Sequence, residues 1–300
     1  MNSWLSAWPE TLKLKGPLGW GSASLACFIL FLVLTFPYGP LQHRLLTELN
    51  RVTGWEVRAG DWSVGIPAAI EWRDVVLAGP TIGVIPIEAV RTTIEVFQAF
   101  LGRLVLDYAV QLPGGAPAGA GRVTGSLSAS SWPLGGRIAV KGHLQQMDLA
   151  LVLTPYVTGG VIQGDFAHRW DSAQGDQAAL KGEGTVKVEI NDLVVERITS
   201  GASSRHSLSL GRIQAALICR DAVCEVTELR GDGVDGSFTA QGRVALRQPL
   251  QQSLLDVAVT VIPGIGFAKK SAGLSLPPFP PGTPVTFKLV GPIVNARVAL

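Results

Sequence analysis

Cys219 and Cys224 are the two residues whose types and spacing best support a chemical reaction, the formation of a disulfide. The four residues between them are enough to turn a β-hairpin, which would set the sulfurs across neighbouring strands. An exported domain meets an oxidising compartment, where such a pair closes. Free buried thiols are the alternative, whereas a metal site would need two more ligands and no histidine lies near in sequence. We predict Cys219 and Cys224 as a disulfide candidate.

Residues 231–236, GDGVDG, match the letters of the dinucleotide-binding pattern G-x-G-x-x-G. That pattern binds phosphates only where it follows a strand and opens a helix. Here it lies between CEVTELR and SFTAQGRVAL, which both resemble strands, so a turn or bulge is expected. Asp232 and Asp235 could contact calcium, but an EF-hand loop requires a longer run of oxygen ligands. We predict neither a cofactor nor a metal.

The remaining candidates for catalysis are scattered along the chain. Neither a Ser/His/Asp order nor a G-x-S-x-G elbow indicates a nucleophile. Three aspartates flank an expected hairpin end and are most simply solvated turn residues. We therefore expect no enzyme. The residues considered are His43, His143, His168, His206, Asp165, Asp171 and Asp176.

An uncharged apolar run over residues 16–36 lies N-terminal to all of these candidate positions. It follows a short polar segment, residues 1–15. As a helix its 21 residues would reach about 31 Å, close to the ~30 Å hydrocarbon core of a bilayer. A cleaved signal peptide is the closest alternative, but no small-x-small cleavage site follows the run. The run, which contains Cys27, predicts one retained transmembrane helix that ends at Pro37.

The basic residues around this run predict its orientation. Lys13 and Lys15 stand just before it, and Arg44 and Arg51 beyond it weaken the asymmetry without reversing it. We expect residues 1–15 to form a cytoplasmic tail. Residues 37–300 would then form an exported β-rich domain, periplasmic in a Gram-negative cell, held at the membrane by a single span.

Composition indicates that the domain is mainly β. The 300 residues include 35 Gly and 19 Pro, only 16% are charged, and the net charge is +2. This mixture suits short strands joined by tight turns, and the lack of a basic cluster argues against nucleic acid as a partner. Apolar and polar residues alternate in several runs, as in half-buried antiparallel strands. These runs are 104–112, 137–144, 180–190, 212–220, 238–247, 255–261 and 285–289.

Few segments depart from this alternation. Residues 41–53 show the spacing of an amphipathic helix, which we expect to plug one end of a sheet. Residues 96–101 and 148–157 are apolar without alternation and indicate short helices. Residues 263–283 are rich in Pro and Gly and predict an extended loop.

Many one-sided strands and few helices leave an apolar face that something must cover. The sheet should fold over as a sandwich or barrel, or curl into a trough with an apolar lining. At ~25 cal/mol per Å², a lining of several hundred Å² left in water forgoes on the order of 10 kcal/mol. An open trough therefore implies a ligand, a partner or partial closure.

The chain combines, in order, the predicted N-terminal span, FPYGPLQHRLLTELNRVTGWEV, the Asp61-Trp62-Ser63 piece leading to AIEWRDVVL, and LKGEGTVKVEINDLVVE. The block LGRIQAALICRDAVCEVTELRGDGVDGSFTAQGRVAL and the closing PVTFKLVGPIVNARVAL complete the set. With these features the whole chain resembles the type II secretion system protein N family, in the variety similar to AsmA-like periplasmic proteins. The likeness covers nearly the whole chain but contains no catalytic signature.

The resemblance implies a non-enzymatic, inner-membrane-anchored accessory component of type II protein secretion. Its partners would be the inner membrane and other components of the secretion machine. The likeness to AsmA-like chains implies an alternative, a lipid-binding or lipid-transfer module that uses an apolar β-groove for phospholipid. Neither interpretation implies a catalytic residue or a cofactor in this chain.

The predicted topology can be tested with a reporter enzyme that is active only outside the cytoplasm. Fused after Leu300, it should be active, because a single span with a cytoplasmic N-terminus exports everything behind it. The same reporter fused within residues 1–15 should be inactive. An inactive reporter after Leu300 would contradict the predicted orientation.

Overall fold

A computed structural model describes most of the chain beyond residue 55. The described residues are Ser24, Cys27, 56–65, 69–79, 83–114, 120–131, 135–153, 157–172, 181–197, 206–247, 252–271 and 280–299. The chain divides into two compact units, residues 1–48 and 49–300. Ser24 and Cys27 are helical and belong to the first unit; all other described residues belong to the second.

Several sequence predictions fall outside the described residues. They are the cytoplasmic tail at 1–15, the span at 16–36 apart from Ser24 and Cys27, and the amphipathic helix at 41–53. Within the described part of the chain, no helix has both the length and the apolar character needed to cross a bilayer.

Fifteen strands and three short α-helices make up the described part of the second unit. The strands are β1 Glu56–Arg58, β2 Trp62–Gly65, β3 Ala69–Gly79, β4 Gly83–Ile94, β5 Leu104–Gln111, β6 Arg122–Ser131, β7 Gly135–Asp148, β8 Val157–Asp171, β9 Glu183–Arg197, β10 His206–Arg220, β11 Val223–Gly233, β12 Gly236–Ala245, β13 Leu254–Pro263, β14 Val285–Pro292 and β15 Arg297–Ala299. The helices are α1 Val96–Phe100, α2 Leu149–Val152 and α3 Ile265–Ser271, and a 3-10 turn spans Ile293–Asn295.

All fifteen strands belong to one antiparallel, curved sheet. From β3 to β15 each strand pairs with the next one in sequence, while β1 and β2 both pair with β3. The prediction of a mainly β, antiparallel fold with a few short helices is confirmed. The described strands form one continuous hydrogen-bonded sheet, as expected both for an open trough and for a sheet that folds over on itself.

Alternation along each strand and the register between strands together produce two chemically different faces. In β9, Val186 and Val188 point to one face, and Thr185 and Lys187 point to the other. Because cross-strand partners share a face, the register carries this division from strand to strand. Val186, for example, pairs with Phe166 of β8 and with Leu217 of β10.

β-bulges interrupt the ladder in β7, β9 and β11. Each lies where apolar residues are three positions apart: Leu144 and Met147, Ile190 and Leu193, Val226 and Leu229. A bulge places an extra residue in one strand, so both apolar residues of a pair stay on the same face, and the strand bends. The two residues between each apolar pair are polar: Gln145 and Gln146, Asn191 and Asp192, Thr227 and Glu228.

Helix α3 corrects one prediction, the extended loop over residues 263–283. Residues Ile265–Ser271 form a helix directly after β13. Ala268, Lys269 and Lys270 favour helix, and the prolines that suggested a loop come later in the chain, at 277–281. The short helices expected at 96–101 and 148–157 are present as α1 and α2, and the Asp148 carboxylate caps α2 by accepting from the Ala150 amide at 2.8 Å.

The position of α2 shows that the sheet curls toward its apolar face. Leu149 of α2 packs with buried Val157, Leu193 and Ile213 of that face. The same helix contacts β4, four strands away from β8 in the ladder. Four strand spacings amount to ~19 Å in a flat sheet, but a four-residue helix is only ~6 Å long. The apolar face is therefore concave here.

The strand ends form two rims along the sheet. The entry rim contains the start of β1 at Glu56, helices α2 and α3, and the turn of Val234 and Asp235. The far rim contains α1 and the turn of Asp221 and Ala222. The assignment follows from the antiparallel order, in which odd strands from β5 onward run toward the entry rim.

Gly231 offers a test of the close packing on the apolar face. An added Cβ would overlap the ring of Phe238, its cross-strand partner. Gly231→Ala should therefore lower the free energy of unfolding by about 1–3 kcal/mol, measured by urea denaturation. Gly159→Ala is the matched control, because its Cβ would meet no atom closer than 3.9 Å.

The same pair allows a double-mutant cycle. In a Phe238→Ala background the cost of Gly231→Ala should fall to below about 0.5 kcal/mol, since the overlapping ring is gone. An undiminished cost in that background would show that the ring is not the reason for glycine at this position.

Candidate functional site

The candidate functional site is the apolar face of the sheet. One cross-strand row shows its character from β8 to β13, and the register joins Phe166, Val186, Leu217, Val226, Gly242 and Val257. The next row on this face toward the far rim joins His168, Gly184, Cys219, Cys224, Val244 and Leu255. Three buried clusters lie on this face, around Leu104, Leu193 and Val257, so its apolar character extends across most of the sheet.

The apolar face is shielded by its own neighbouring side chains and not by a second layer. Phe166, Val186 and Leu217 are only half-buried. Among the described residues, the largest fully buried side chains are Pro263 and Ser253, neither of them a large apolar group. A sandwich of this size would bury many Leu, Ile and Phe side chains completely.

The few polar groups on this face are mostly satisfied within the sheet. The Tyr108 hydroxyl donates to the Lys141 carbonyl at 2.9 Å, and burial raises the pKa of this phenol above its usual range, so it stays neutral. The His168 ring stacks on Trp170 with centroids 5.4 Å apart. Trp72 Nε1 is the exception, a buried donor without an acceptor among the described residues. A ligand on this face would therefore meet almost no unsatisfied hydrogen-bonding groups.

Aromatic rings lie across glycines of the adjacent strand on this face. A Cβ at Gly142 would overlap Phe166, and a Cβ at Gly125 would crowd Tyr108. Gly231 and Phe238 repeat the arrangement at the other end of the sheet. A ring that lies flat on a glycine protrudes little above the sheet, so the trough stays deep at these positions. Cross-strand pairing of aromatics with glycines is a known way to stabilise sheets.

The opposite face is polar and carries cross-strand ion pairs. Arg169 contacts Glu183 at 2.9 Å, and Arg212 contacts Glu189 at 2.6 Å. A cleft of about 910 Å³ crosses β7 to β11 on this face, lined in part by His143, Gln163, Asp165, Lys187, Gln214 and Arg230. Its exposed charges include the pairs of His143 with Asp165 and of Arg230 with Glu228, and such pairs contribute at most about 1 kcal/mol each. This face keeps the sheet in water.

Cys219 and Cys224 are cross-strand partners at the end of the β10–β11 hairpin, where the sequence had placed them. Their sulfurs are joined, 2.01 Å apart. The pair lies on the apolar face, in register with Gly184 of β9 and Val244 of β12. The disulfide therefore ties a hairpin end at the far rim and contributes no reactive group to the trough.

The GDGVDG motif forms the turn of the β11–β12 hairpin, at the entry rim. Its glycines allow neighbouring strands to pack closely. Gly231 and Gly233 belong to β11, and Gly236 begins β12 with a positive φ of 144°. Each glycine touches a neighbouring strand so closely that a Cβ would overlap it. The prediction of a turn is confirmed.

Asp235 in that turn has a role that the sequence did not suggest. Its carboxylate is buried, accepts from the Ser209 amide at 2.7 Å and pairs with Lys270 of α3 at 2.7 Å. The calcium contact considered for Asp232 and Asp235 has no support here, since no group of three metal-ligating side chains occurs among the described residues.

Those histidines and aspartates that the structure describes do not converge on one site. His143 and Asp165 meet on the polar face, with 2.6 Å between Nδ1 and Oδ1, while His168 lies on the apolar face. Asp165 lies within β8 and not at a hairpin end, so that expectation is wrong; Asp171 does end the strand. His43 and Asp176 are outside the described residues.

Comparison of the chain with family models, with curated proteins and with solved structures gave no match. The resemblance to the secretion protein N family thus stays a prediction from the sequence.

The disulfide predicts a defined number of reactive thiols. The chain has three cysteines, so alkylation of unfolded, unreduced protein should add one group, at Cys27, and three groups after reduction. Intact-protein mass spectrometry gives the count. A Cys219→Ser variant is the control and should take up two groups before reduction. Three additions to the unreduced protein would contradict the disulfide.

Proposed function

We propose that residues 56–299 form a lipid-handling module that holds acyl chains against its apolar face. The observation that carries this proposal is the face itself, apolar across most of the sheet, concave at α2 and without a covering layer in the described ranges. Apolar surface of this extent left in water is costly, and exposed patches larger than a few hundred Å² generally bind something.

Acyl chains fit the chemistry of the face. They need no hydrogen bonds, and the Tyr108 hydroxyl is already satisfied by the Lys141 carbonyl. A protein partner would bring its own backbone and polar side chains, which this lining would leave unpaired. Lipid tails therefore agree better with the lining than a folded protein does.

The dimensions also support this proposal. The ten strand spacings from β4 to β14 amount to ~48 Å. One leaflet of a bilayer, half of the ~30 Å hydrocarbon core, is ~15 Å thick. The face is therefore long enough for several acyl chains that lie across the strands, one after another.

The cellular setting belongs to the same proposal. A trough of the AsmA-like kind, anchored by a single helix at residues 16–36 in the inner membrane, would present residues 37–300 to the periplasm. Lipid that leaves the outer leaflet would meet the trough there. The role of accessory component in type II secretion is supported by the sequence resemblance alone and stays a prediction.

Lipid binding can be tested with a pair of neighbouring substitutions. Val186→Glu places a carboxylate in the lining, and it should reduce bound phospholipid by roughly tenfold, the equivalent of ~1.4 kcal/mol. Thr185→Glu adds the same charge one residue away on the polar face, and it should leave binding unchanged. Native mass spectrometry of the full chain counts the bound lipid.

Lipid that surrounds the membrane anchor is common to both variants, so the difference between them reports on the sheet. Circular dichroism and thermal unfolding establish that both variants fold. Equal lipid occupancy in the wild type and the two variants would contradict the proposal.

A further inference from the structure

A small apolar tip stands on the entry rim at the end of β11, β12 and β13. Val234 in the turn is 81% exposed and Ile265 at the start of α3 is 74% exposed, and Ile262 beside them is also exposed. The tip is one continuous feature, because a Cβ at Gly264 or Gly266 would lie within 3.4 Å of the Val234 carbonyl oxygen. We name Val234, Ile262 and Ile265 the apolar tip.

The ion pair between Asp235 and Lys270 holds the two halves of the tip together. The Asp235 side chain is only 2% exposed, and its Oδ2 accepts from both Lys270 and the Ser209 amide. The turn and α3 are thereby fixed side by side. The same contacts hide and neutralise the acidic group nearest to the tip.

The charge around the tip is low. Residues 262–271 contain two lysines and no acidic residue, and one of these lysines, Lys270, is neutralised by Asp235. The nearby exposed carboxylate, that of Asp232, lies on the polar face opposite Arg212 in the register. An apolar protrusion of low charge suits the interface of a bilayer.

The chain enters the sheet at this same rim. Strand β1 begins at Glu56 on the entry rim, paired with Ala78 at the end of β3. Nineteen residues, 37–55, separate the predicted span at 16–36 from this point. The sheet is therefore joined to its predicted anchor at the rim that carries the tip.

We propose that the apolar tip inserts into the interface of the bilayer in which the chain is anchored, so that the entry rim of the trough rests on lipid. This inference rests on the membrane anchoring in the proposed function. Three side chains are too few for a stable interface with a second copy or another protein, which needs ~1,000 Å² or more. They are enough for a protrusion that enters a headgroup region.

The test uses the full chain with Cys27→Ser, reconstituted into vesicles of phosphatidylethanolamine and phosphatidylglycerol that contain a nitroxide-bearing lipid. An environment-sensitive fluorophore is attached at Val234→Cys or, in a second variant, Ile265→Cys. Phe97→Cys is the matched control, because Phe97 is 73% exposed and apolar but lies on the far rim. Ala222→Cys reports on a polar turn of the far rim.

Probes at 234 and 265 should be quenched roughly twofold or more above those at 97 and 222, since interfacial side chains lie ~5–10 Å within the headgroup and acyl boundary. Equal quenching at 97 and 234, or none at 234 and 265, would overturn the inference. A signal at 234 that follows protein density at constant lipid composition would identify a second copy and would also overturn it. Lipid counted by native mass spectrometry is independent of this result, so failure here is separable from failure of the lipid-handling proposal.

Discussion

The strands of this sheet must keep most of their apolar side chains on one face. A slip of one residue would move the set to the water side. In a sandwich, a second layer would cover an apolar side chain that a local slip had moved out of place. The described strands form a single layer, so the separation of the two faces depends entirely on alternation, register and the bulges that restore the phase. The trough, the solvated outer face and the proposed lipid binding all follow from that separation.

The bulges reconcile this constraint with curvature. A long strand bends where a residue is inserted, and β7, β9 and β11 each contain such a point. The polar residues of the bulge are accommodated without changing the face of the apolar residues on either side. The curl that results brings α2 on β8 close to β4 and gives the trough its concave side. The spacing of the apolar residues thus determines where the backbone bulges, and the bulges bend the sheet.

Local patterns made the strand content predictable, and long-range contacts made other features unpredictable. Strands such as β9 and β13 follow from a period of two, and the cross-strand position of Cys219 and Cys224 follows from a short hairpin. The apolar spacing of three, as in Leu144 and Met147, breaks that period and is recognisable as a bulge only once the partner strand is known. The pairing of Asp235 with Lys270 joins residues 35 positions apart, so no local signal indicates it. The choice between sandwich and trough was likewise open, because alternation is the same in both.

The central claim is that one face of the sheet, and not the other, contacts lipid. A phospholipid with a photoreactive group on its acyl chain tests this directly when it is crosslinked to the full chain and the adducts are mapped by peptide mass spectrometry. The account predicts adducts at alternate residues, such as Val186, Val188, Val257 and Val259, and none at the intervening Lys187 or Ala258. Adducts distributed evenly over both faces, or confined to the N-terminal run, would contradict it.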